Sequence, residues 1–176
     1  MNAPDIWIKR HIDLVPDGGR VLDIAAGEGR HVALCRTLGL KVVAVDRDVS
    51  GLQQFRNDDD VTILEADLED RAWPLPGERF DGIIVCNYLW RALFPTVLDC
   101  LAPGGCLIWT TFATGNEAFG RPRNPDFLLR RNELLQRVLP ELEVLAYSHG
   151  LVHRPTPAVR QSIAARRPDV DHTSAG

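Results

Sequence analysis

The segment that decides the fold reads Val21-Leu22-Asp23-Ile24-Ala25-Ala26-Gly27-Glu28-Gly29-Arg30-His31. An apolar run leads into a turn with two glycines, and a helical pattern follows the turn. A second apolar run, from Lys41 to Asp46, then ends in a carboxylate. This order is typical of half of a nucleotide-type α/β unit, in which the turn brings backbone N–H groups and a helix N-terminus close to a ligand.

The turn departs from the dinucleotide pattern G-x-G-x-x-G, because Val32 stands where that pattern has its third glycine. Asp23 precedes the turn, and a carboxylate at that position would repel a pyrophosphate but suits a ligand that carries an ammonium group. Asp46 can accept hydrogen bonds from two ribose hydroxyls. The residues therefore favour a nucleoside ligand with a cationic tail and no phosphate.

These features give the chain a resemblance to class I S-adenosylmethionine-dependent methyltransferases, whose first motif runs roughly acid-x-Gly-x-Gly-x-Gly. The chain departs from that motif at Ala25, which occupies the first glycine position. The resemblance implies S-adenosyl-L-methionine as the cofactor and S-adenosyl-L-homocysteine as its product. The alternative is an ordinary strand-turn-helix in an unrelated α/β protein.

Length and composition fit one domain. The chain has 176 residues, 45% hydrophobic and 25% charged, and a net charge of −4, so no large basic field for nucleic acid is present. We expect a single methyltransferase domain over residues 1–167 and a disordered tail over 168–176.

The four cysteines lack C-x-x-C spacing, which predicts reduced thiols, a cytoplasmic location and no metal site. No apolar run reaches membrane-spanning length.

Helical and strand-like patterns alternate along the chain. Helices are predicted over 4–14, 30–38, 49–56 and 91–101, with another beginning near Asn132 as its N-cap, and strands over 20–26, 41–46, 61–66, 80–87, 106–112, 142–147 and 159–165. Continuous apolar strands that alternate with helices indicate a parallel sheet covered on both faces. The last two strands have no room for a crossover helix, so they should pair antiparallel. The prediction is a Rossmann-like, seven-stranded α/β fold.

Ligands of open α/β sheets bind outside the carboxyl ends of the strands. The resemblance and this geometry together predict the cofactor-binding residues Asp23, Ala25, Ala26, Gly27, Gly29, Arg30, Asp46, Arg47, Asp67, Leu68, Cys86 and Asn87. In the resembling family, an acid after the third strand accepts from the adenine amino group and the next backbone N–H meets a ring nitrogen, which Asp67 and Leu68 match. Arg30 suits the methionine carboxylate. For three of these residues a purely structural role remains the alternative to cofactor binding. Asp46 could cap the end of its strand, Asp67 could form a turn and Asn87 could cap a helix.

The acceptor side is predicted from the fourth and fifth strands. Asn87 and Tyr88 are the candidate catalytic residues, and Tyr88, Trp90, Arg91 and Phe119 are candidates for binding the substrate. Residues 114–131 form a connection far longer than the usual ~4–6 residues, and we interpret it as a lid over the acceptor pocket. Its Asn-Pro-Asp-Phe-Leu-Leu stretch resembles small bacterial methyltransferases related to the tellurite-resistance methyltransferase.

Three functions stay open from the sequence. The first is methyl transfer to a small-molecule acceptor by in-line displacement. The second is methyl transfer to RNA or protein, for which Arg121, Arg123, Arg130 and Arg131 are the relevant cations, although no Asn-Pro-Pro-Tyr motif follows the fourth strand. The third is a non-catalytic S-adenosylmethionine-binding or dehydrogenase-like domain. The sequence does not indicate the oligomeric state.

Overall fold

A computed structural model describes residues 2–69 and 71–169, so residues 170–176 of the predicted tail lie outside it. Four α-helices and seven strands alternate along these residues. The helices are α1 Ile6–His11, α2 Arg30–Thr37, α3 Phe94–Asp99 and α4 Glu133–Val138. The strands are β1 Arg20–Ile24, β2 Lys41–Asp46, β3 Val61–Glu65, β4 Phe80–Cys86, β5 Leu101–Phe112, β6 Glu143–Val152 and β7 Ala158–Arg166.

The seven strands form one sheet in the order β3-β2-β1-β4-β5-β7-β6. Strands β1 to β5 pair in parallel, whereas β7 runs antiparallel to both β5 and β6. The predicted parallel sheet with an antiparallel C-terminal pair is thus confirmed. Because β1 and β4 are neighbours at the centre of the sheet, the chain reverses its winding between them, and their carboxyl ends flank a natural crevice.

Apolar residues fill both faces of the sheet. Helices α1 and α2 cover one face over Val21, Val42 and Ile108, and α3 and α4 cover the other. On the second face Phe94 stacks on Trp109 with ring centroids 4.4 Å apart. This burial on both faces explains why the central strands read as continuous apolar runs.

Several boundary predictions were wrong in detail. The predicted helix over 49–56 is a 3-10 helix, Ser50–Phe55, and the helix predicted over 91–101 splits into a 3-10 turn, Arg91–Leu93, and α3. Strand β5 begins at Leu101 rather than at residue 106. Phe80 pairs with Leu101 and Gly82 with Cys106, so residues 102–105 bulge out of the strand. The Pro-Gly-Gly sequence that predicts a turn is therefore accommodated as a bulge.

Asn132 precedes α4 as predicted, but its side chain makes no capping hydrogen bond, and its backbone is left-handed at φ 57°. Among the described residues, no helix combines the length and apolar character that a membrane crossing requires.

Candidate cofactor and acceptor site

The turn after β1 is built from left-handed backbone. Ala25, Gly27 and Gly29 have φ values of 56°, 56° and 77°. A side chain at Gly29 would meet the Phe55 ring, with its Cβ only 2.5 Å from a ring carbon. Ala25 adopts a conformation that costs a residue with a Cβ about 1–2 kcal/mol, so this departure from the family motif stores strain at the candidate site.

Asp46 ties the end of β2 to this turn. One carboxylate oxygen accepts from the Gly27 backbone N–H at 2.8 Å, and the other accepts from the Asp48 N–H at 3.0 Å. A carboxylate offers about four acceptor positions, so two remain for ligand hydroxyls. The strand-end capping role that the sequence left open for Asp46 is therefore real, and it is compatible with ribose binding.

Asp23 lies beneath the turn rather than on its surface. Its side chain is 1% exposed, and its Oδ2 atom has no hydrogen-bond partner in the described part of the chain. Burial raises the pKa of this carboxyl to about 8, against the lowering effect of Arg30. Asp23 does not line the clefts described below, so direct contact with the cofactor stays a prediction.

A cleft of about 520 Å³ opens at the carboxyl ends of β1 to β5, and we call it the carboxyl-end cleft. Seven of the predicted residues line it: Ala25, Asp46, Arg47, Asp67, Leu68, Asn87 and Tyr88. Glu69 adds a third carboxylate to those of Asp46 and Asp67, against the single guanidinium of Arg47. A cleft with this charge disfavours the two phosphates of a dinucleotide.

A second cleft, of about 330 Å³, lies between the turn and the N-terminal segment, and we call it the N-terminal cleft. It brings together the predicted residues Ala25, Ala26, Gly27, Arg30, Cys86 and Asn87. Ala25 and Asn87 line both clefts, so the two join into one elongated site. This shape fits S-adenosylmethionine, with a nucleoside at one end and an amino acid at the other.

Two titratable side chains at this site, Tyr88 and His31, are held in their neutral forms. Burial raises the pKa of the Tyr88 phenol above its usual range, and the hydroxyl has no hydrogen-bond partner among the described residues. Burial lowers the pKa of His31 to about 4, and its ring accepts from the Asp5 backbone N–H at 3.2 Å. Neither side chain is therefore suited to act as a general base. Tyr88 remains able to donate a hydrogen bond to a ligand.

Three predicted substrate residues do not reach the carboxyl-end cleft. Trp90 packs against the core beside the start of α3 and lines smaller neighbouring clefts. Phe119 is 47% exposed and lines none of the cavities described here. Residue spacing alone does not reveal these positions.

Arg91 also differs from its prediction as an anion-binding residue. Its guanidinium donates to both carboxylate oxygens of Glu133 at 2.8 and 3.0 Å and to the carbonyls of Asp126 and Leu128, each at 2.8 Å. Glu133 is 6% exposed. The cation is thus occupied within the protein and holds the 114–131 segment onto α4.

The 114–131 segment contributes a wall to the site. Pro122 and Phe127 line the carboxyl-end cleft, opposite the predicted cofactor residues. Leu128 and Leu129 are buried, and Ala113 forms a β-bridge with Leu129, so the segment is anchored at its C-terminal end. Within this segment Phe127 lines the carboxyl-end cleft, whereas the predicted Phe119 does not.

Arg160 on β7 was missed by the sequence analysis. It donates to Asn87 Oδ1 at 2.7 Å and to Thr110 Oγ1 at 3.2 Å, and its guanidinium lies 4.7 Å from the centre of the Phe112 ring. Its side chain is 11% exposed. The one available signal was an arginine inside an apolar strand pattern, because a buried cation requires partners.

Comparison with known proteins shows what the chain is similar to. Residues 21–105 match the model of a methyltransferase domain. A demethylmenaquinone methyltransferase from Clavibacter sepedonicus is 31% identical over 106 residues, which cover 55% of this chain and 42% of that protein. The chain therefore spans less than half the length of this curated relative.

Two solved structures share the fold. TehB from Haemophilus influenzae superimposes with a TM-score of 0.72 at 16% identity, covering 90% of this chain and 61% of that chain. A Burkholderia thailandensis 1,6-didemethyltoxoflavin-N1-methyltransferase, solved with its didemethyltoxoflavin and S-adenosylhomocysteine, gives 0.64 at 22% identity over 90% and 75% of the two chains. The predicted fold is confirmed, and over residues 21–105 the chain is similar to methyltransferase domains.

Proposed function

We propose that this chain transfers the sulfonium methyl group of S-adenosylmethionine to a small-molecule acceptor. The observation that carries the proposal is the elongated site, in which the carboxyl-end and N-terminal clefts join at Ala25 and Asn87. The nucleoside end holds an excess of carboxylates, and no P-loop-like phosphate site accompanies it in the described residues. This combination supports a cationic nucleoside ligand.

The cofactor residues follow from their positions. Asp46 accepts from the ribose hydroxyls, and Asp67 and Leu68 hold the adenine, since all three line the same end of the carboxyl-end cleft. Arg30 and Cys86 line the N-terminal cleft, where the methionine moiety would lie. Arg30 makes only weak contacts there, to Cys86 Sγ at 3.2 Å and the Ala3 carbonyl at 3.5 Å, so its charge is available for the methionine carboxylate.

The chemistry requires little from the protein beyond alignment. When bound, the cofactor supplies an activated methyl group, and the protein holds the nucleophile in line and excludes water. Tyr88 and His31 are poorly suited to accept a proton, because burial raises the pKa of Tyr88 and lowers the pKa of His31. An acceptor that arrives as a soft or already deprotonated nucleophile requires neither of them.

A small acceptor is supported by the scale of the site and by the fold relatives, which include an enzyme crystallised with a small heterocycle. Pro122 and Phe127 narrow the carboxyl-end cleft. The RNA alternative depends on Arg121, Arg123, Arg130 and Arg131, which are all exposed on the wall segment. A reducing cytoplasmic location is part of the proposal, supported by four unpaired cysteines.

The proposal is tested by isothermal titration calorimetry followed by an acceptor screen. We expect S-adenosylhomocysteine to bind and NAD to give no heat. Labelled methyl donor is then offered with small-molecule, RNA and protein pools. Label in the small-molecule pool supports the proposal, and label confined to RNA or protein supports the alternative. Micromolar NAD binding without S-adenosylhomocysteine binding would refute the cofactor.

A further inference from the structure

A third cavity, of about 780 Å³, lies between α1 and the β6–β7 hairpin, and we call it the arginine cavity. Its wall contains four arginines, Arg10, Arg30, Arg154 and Arg160, and a single carboxylate, Asp5. The whole chain has a net charge of −4, so this wall reverses the overall sign locally. A concave surface lined by one sign of charge concentrates ligands of the other sign.

The most buried of these arginines is rigidly placed. The Nε and Nη2 groups of Arg160 donate to Thr110 Oγ1 at 3.3 and 3.2 Å, and Nη2 also donates to Asn87 Oδ1 at 2.7 Å. Asp5 is 3.8 Å away, and its other oxygen already caps α1 by accepting from the Trp7 N–H at 2.8 Å. The Nη1 group makes no hydrogen bond to any described residue, so a fixed, charged donor edge remains for a ligand.

The arginine cavity adjoins the proposed cofactor site at two points. Arg30 lines both the arginine cavity and the N-terminal cleft. Arg160 is hydrogen-bonded to Asn87, which lines both clefts of the cofactor site. A molecule held by Arg160 would therefore lie beside the end of β4, where the family places the methyl group.

The remaining wall is partly apolar, with Ile6, Trp7, Val152 and Pro155. Its volume lies within the ~300–1,000 Å³ range of small-molecule sites. An apolar wall with convergent guanidiniums suits a molecule with an apolar body and a carboxylate, because arginine binds carboxylates with two parallel hydrogen bonds.

We propose that the arginine cavity is the acceptor site and that the acceptor is a small organic acid, bound through its carboxylate by Arg160 with Arg154 and Arg10 supporting the charge. This inference rests on the proposed methyltransferase function. In the reaction, a lone pair of the acceptor forms the bond to the methyl carbon while the carbon–sulfur bond breaks. The electron pair of the carbon–sulfur bond stays on sulfur, which becomes a neutral thioether. Any proton on the attacking atom leaves to water.

The test measures the binding of benzoate and of its uncharged isostere benzamide to the full chain by ligand-detected NMR, with S-adenosylhomocysteine present. We expect benzoate to bind at least tenfold more tightly than benzamide. Arg160→Gln should weaken benzoate binding about tenfold or more. Arg154→Gln, made separately, should weaken it less, because Arg154 is exposed. Arg56→Gln, an equal charge change on an exposed arginine outside the cavity, should leave it unchanged.

Binding of S-adenosylhomocysteine, measured on the same samples, separates the two proposals. If it binds but benzoate and benzamide bind equally, or if neither arginine variant changes benzoate binding, the acceptor inference is overturned and the cofactor proposal stands. If S-adenosylhomocysteine fails to bind wild-type protein, the proposed function itself fails. Arg154 lies at the hairpin end, so its variant remains informative if Arg160→Gln does not fold.

Discussion

The two sides of the carboxyl edge of the sheet carry opposite charge. On the β1–β3 side, the carboxyl-end cleft presents Asp46, Asp67 and Glu69 against one arginine. On the β5–β7 side, the arginine cavity presents four arginines against Asp5. A cationic methyl donor and an anionic acceptor would therefore be sorted to their own halves by the field of the protein, before any specific contact forms.

The two sides also differ in how they are built. The acidic side consists of short turns that directly follow strands, so its residues lie close together in the sequence. The basic side is assembled from the N-terminal segment with α1, the start of α2 and the β6–β7 hairpin, which are distant in sequence. The following substitutions test whether the two sides are energetically as well as spatially separate.

The largest expected effect comes from Arg91→Ala, which removes the main partner of buried Glu133. Losing one member of a buried ion pair costs about 3–5 kcal/mol, and we expect the lower end because Arg137 remains 3.6 Å from Glu133. Urea unfolding measures the loss. The double variant with Glu133→Gln should recover part of it, and S-adenosylhomocysteine affinity of the folded protein should stay within about threefold. A large loss of cofactor affinity would show that the 114–131 segment, which Arg91 anchors, is energetically coupled to the cofactor site.

Asp46→Ala should act on the acidic side. Each charged hydrogen bond to a ribose hydroxyl contributes roughly 1.5–3 kcal/mol, so we expect cofactor affinity to fall at least about tenfold in calorimetry. The matched control is Asp48→Ala, which removes a neighbouring turn carboxylate that accepts from the Ser50 N–H and does not line the cleft. Equal affinity of Asp46→Ala and wild type would contradict the ribose assignment.

Asp23→Asn should change the pH dependence of stability. Burial raises the folded pKa of Asp23 to about 8 from 3.8, so the unfolded chain ionises first as the pH rises. The stability of the ligand-free protein therefore falls between about pH 4 and pH 8, by up to about 1.4 kcal/mol per pH unit. Thermal unfolding across this range should show the slope in wild type and a flatter profile in the variant. Parallel profiles would rule out a neutral Asp23.

Phe127→Ala tests the wall of the carboxyl-end cleft. Phe127 is 45% exposed, so removing its ring loses roughly 1 kcal/mol of apolar contact to a cofactor bound in that cleft. We expect S-adenosylhomocysteine affinity to fall about fivefold in calorimetry. Phe119→Ala is the matched control from the same segment and should have no effect. A larger loss in Phe119→Ala than in Phe127→Ala would contradict the assignment of Phe127 to the wall.

Ala25→Gly should have the smallest effect and the opposite sign. Glycine relieves the left-handed strain of about 1–2 kcal/mol at φ 56° but adds roughly 0.5–1 kcal/mol of unfolded-state entropy. We expect a gain of up to about 1 kcal/mol in urea unfolding. Ala26→Gly, at a buried position without positive φ, should be destabilising. A loss of stability in Ala25→Gly would show that its methyl group packs usefully at this turn.

The acidic side was predictable because its determinants are local. Asp46 and Asp67 follow strands with clear apolar patterns, and parallel strands bring their carboxyl ends to one edge of the sheet. The pattern did not predict how deeply each side chain is buried, and Asp23 lies under the turn instead of in the cleft. Sequence spacing likewise did not show that Trp90 and Phe119 lie outside the lining of the carboxyl-end cleft.

The sequence by itself determined the sheet, its antiparallel C-terminal pair and the resemblance to S-adenosylmethionine-dependent methyltransferases, because hydrophobic periodicity, glycine turns and strand-end carboxylates are properties of short segments. Only the tertiary structure brought Arg160 to Asn87 across 73 residues of chain and turned Arg91 into a buried partner of Glu133. Those contacts depend on which strands become neighbours and on how distant segments pack. Whether a charged side chain forms an internal ion pair or stays available for a ligand is decided by the groups that the fold places around it.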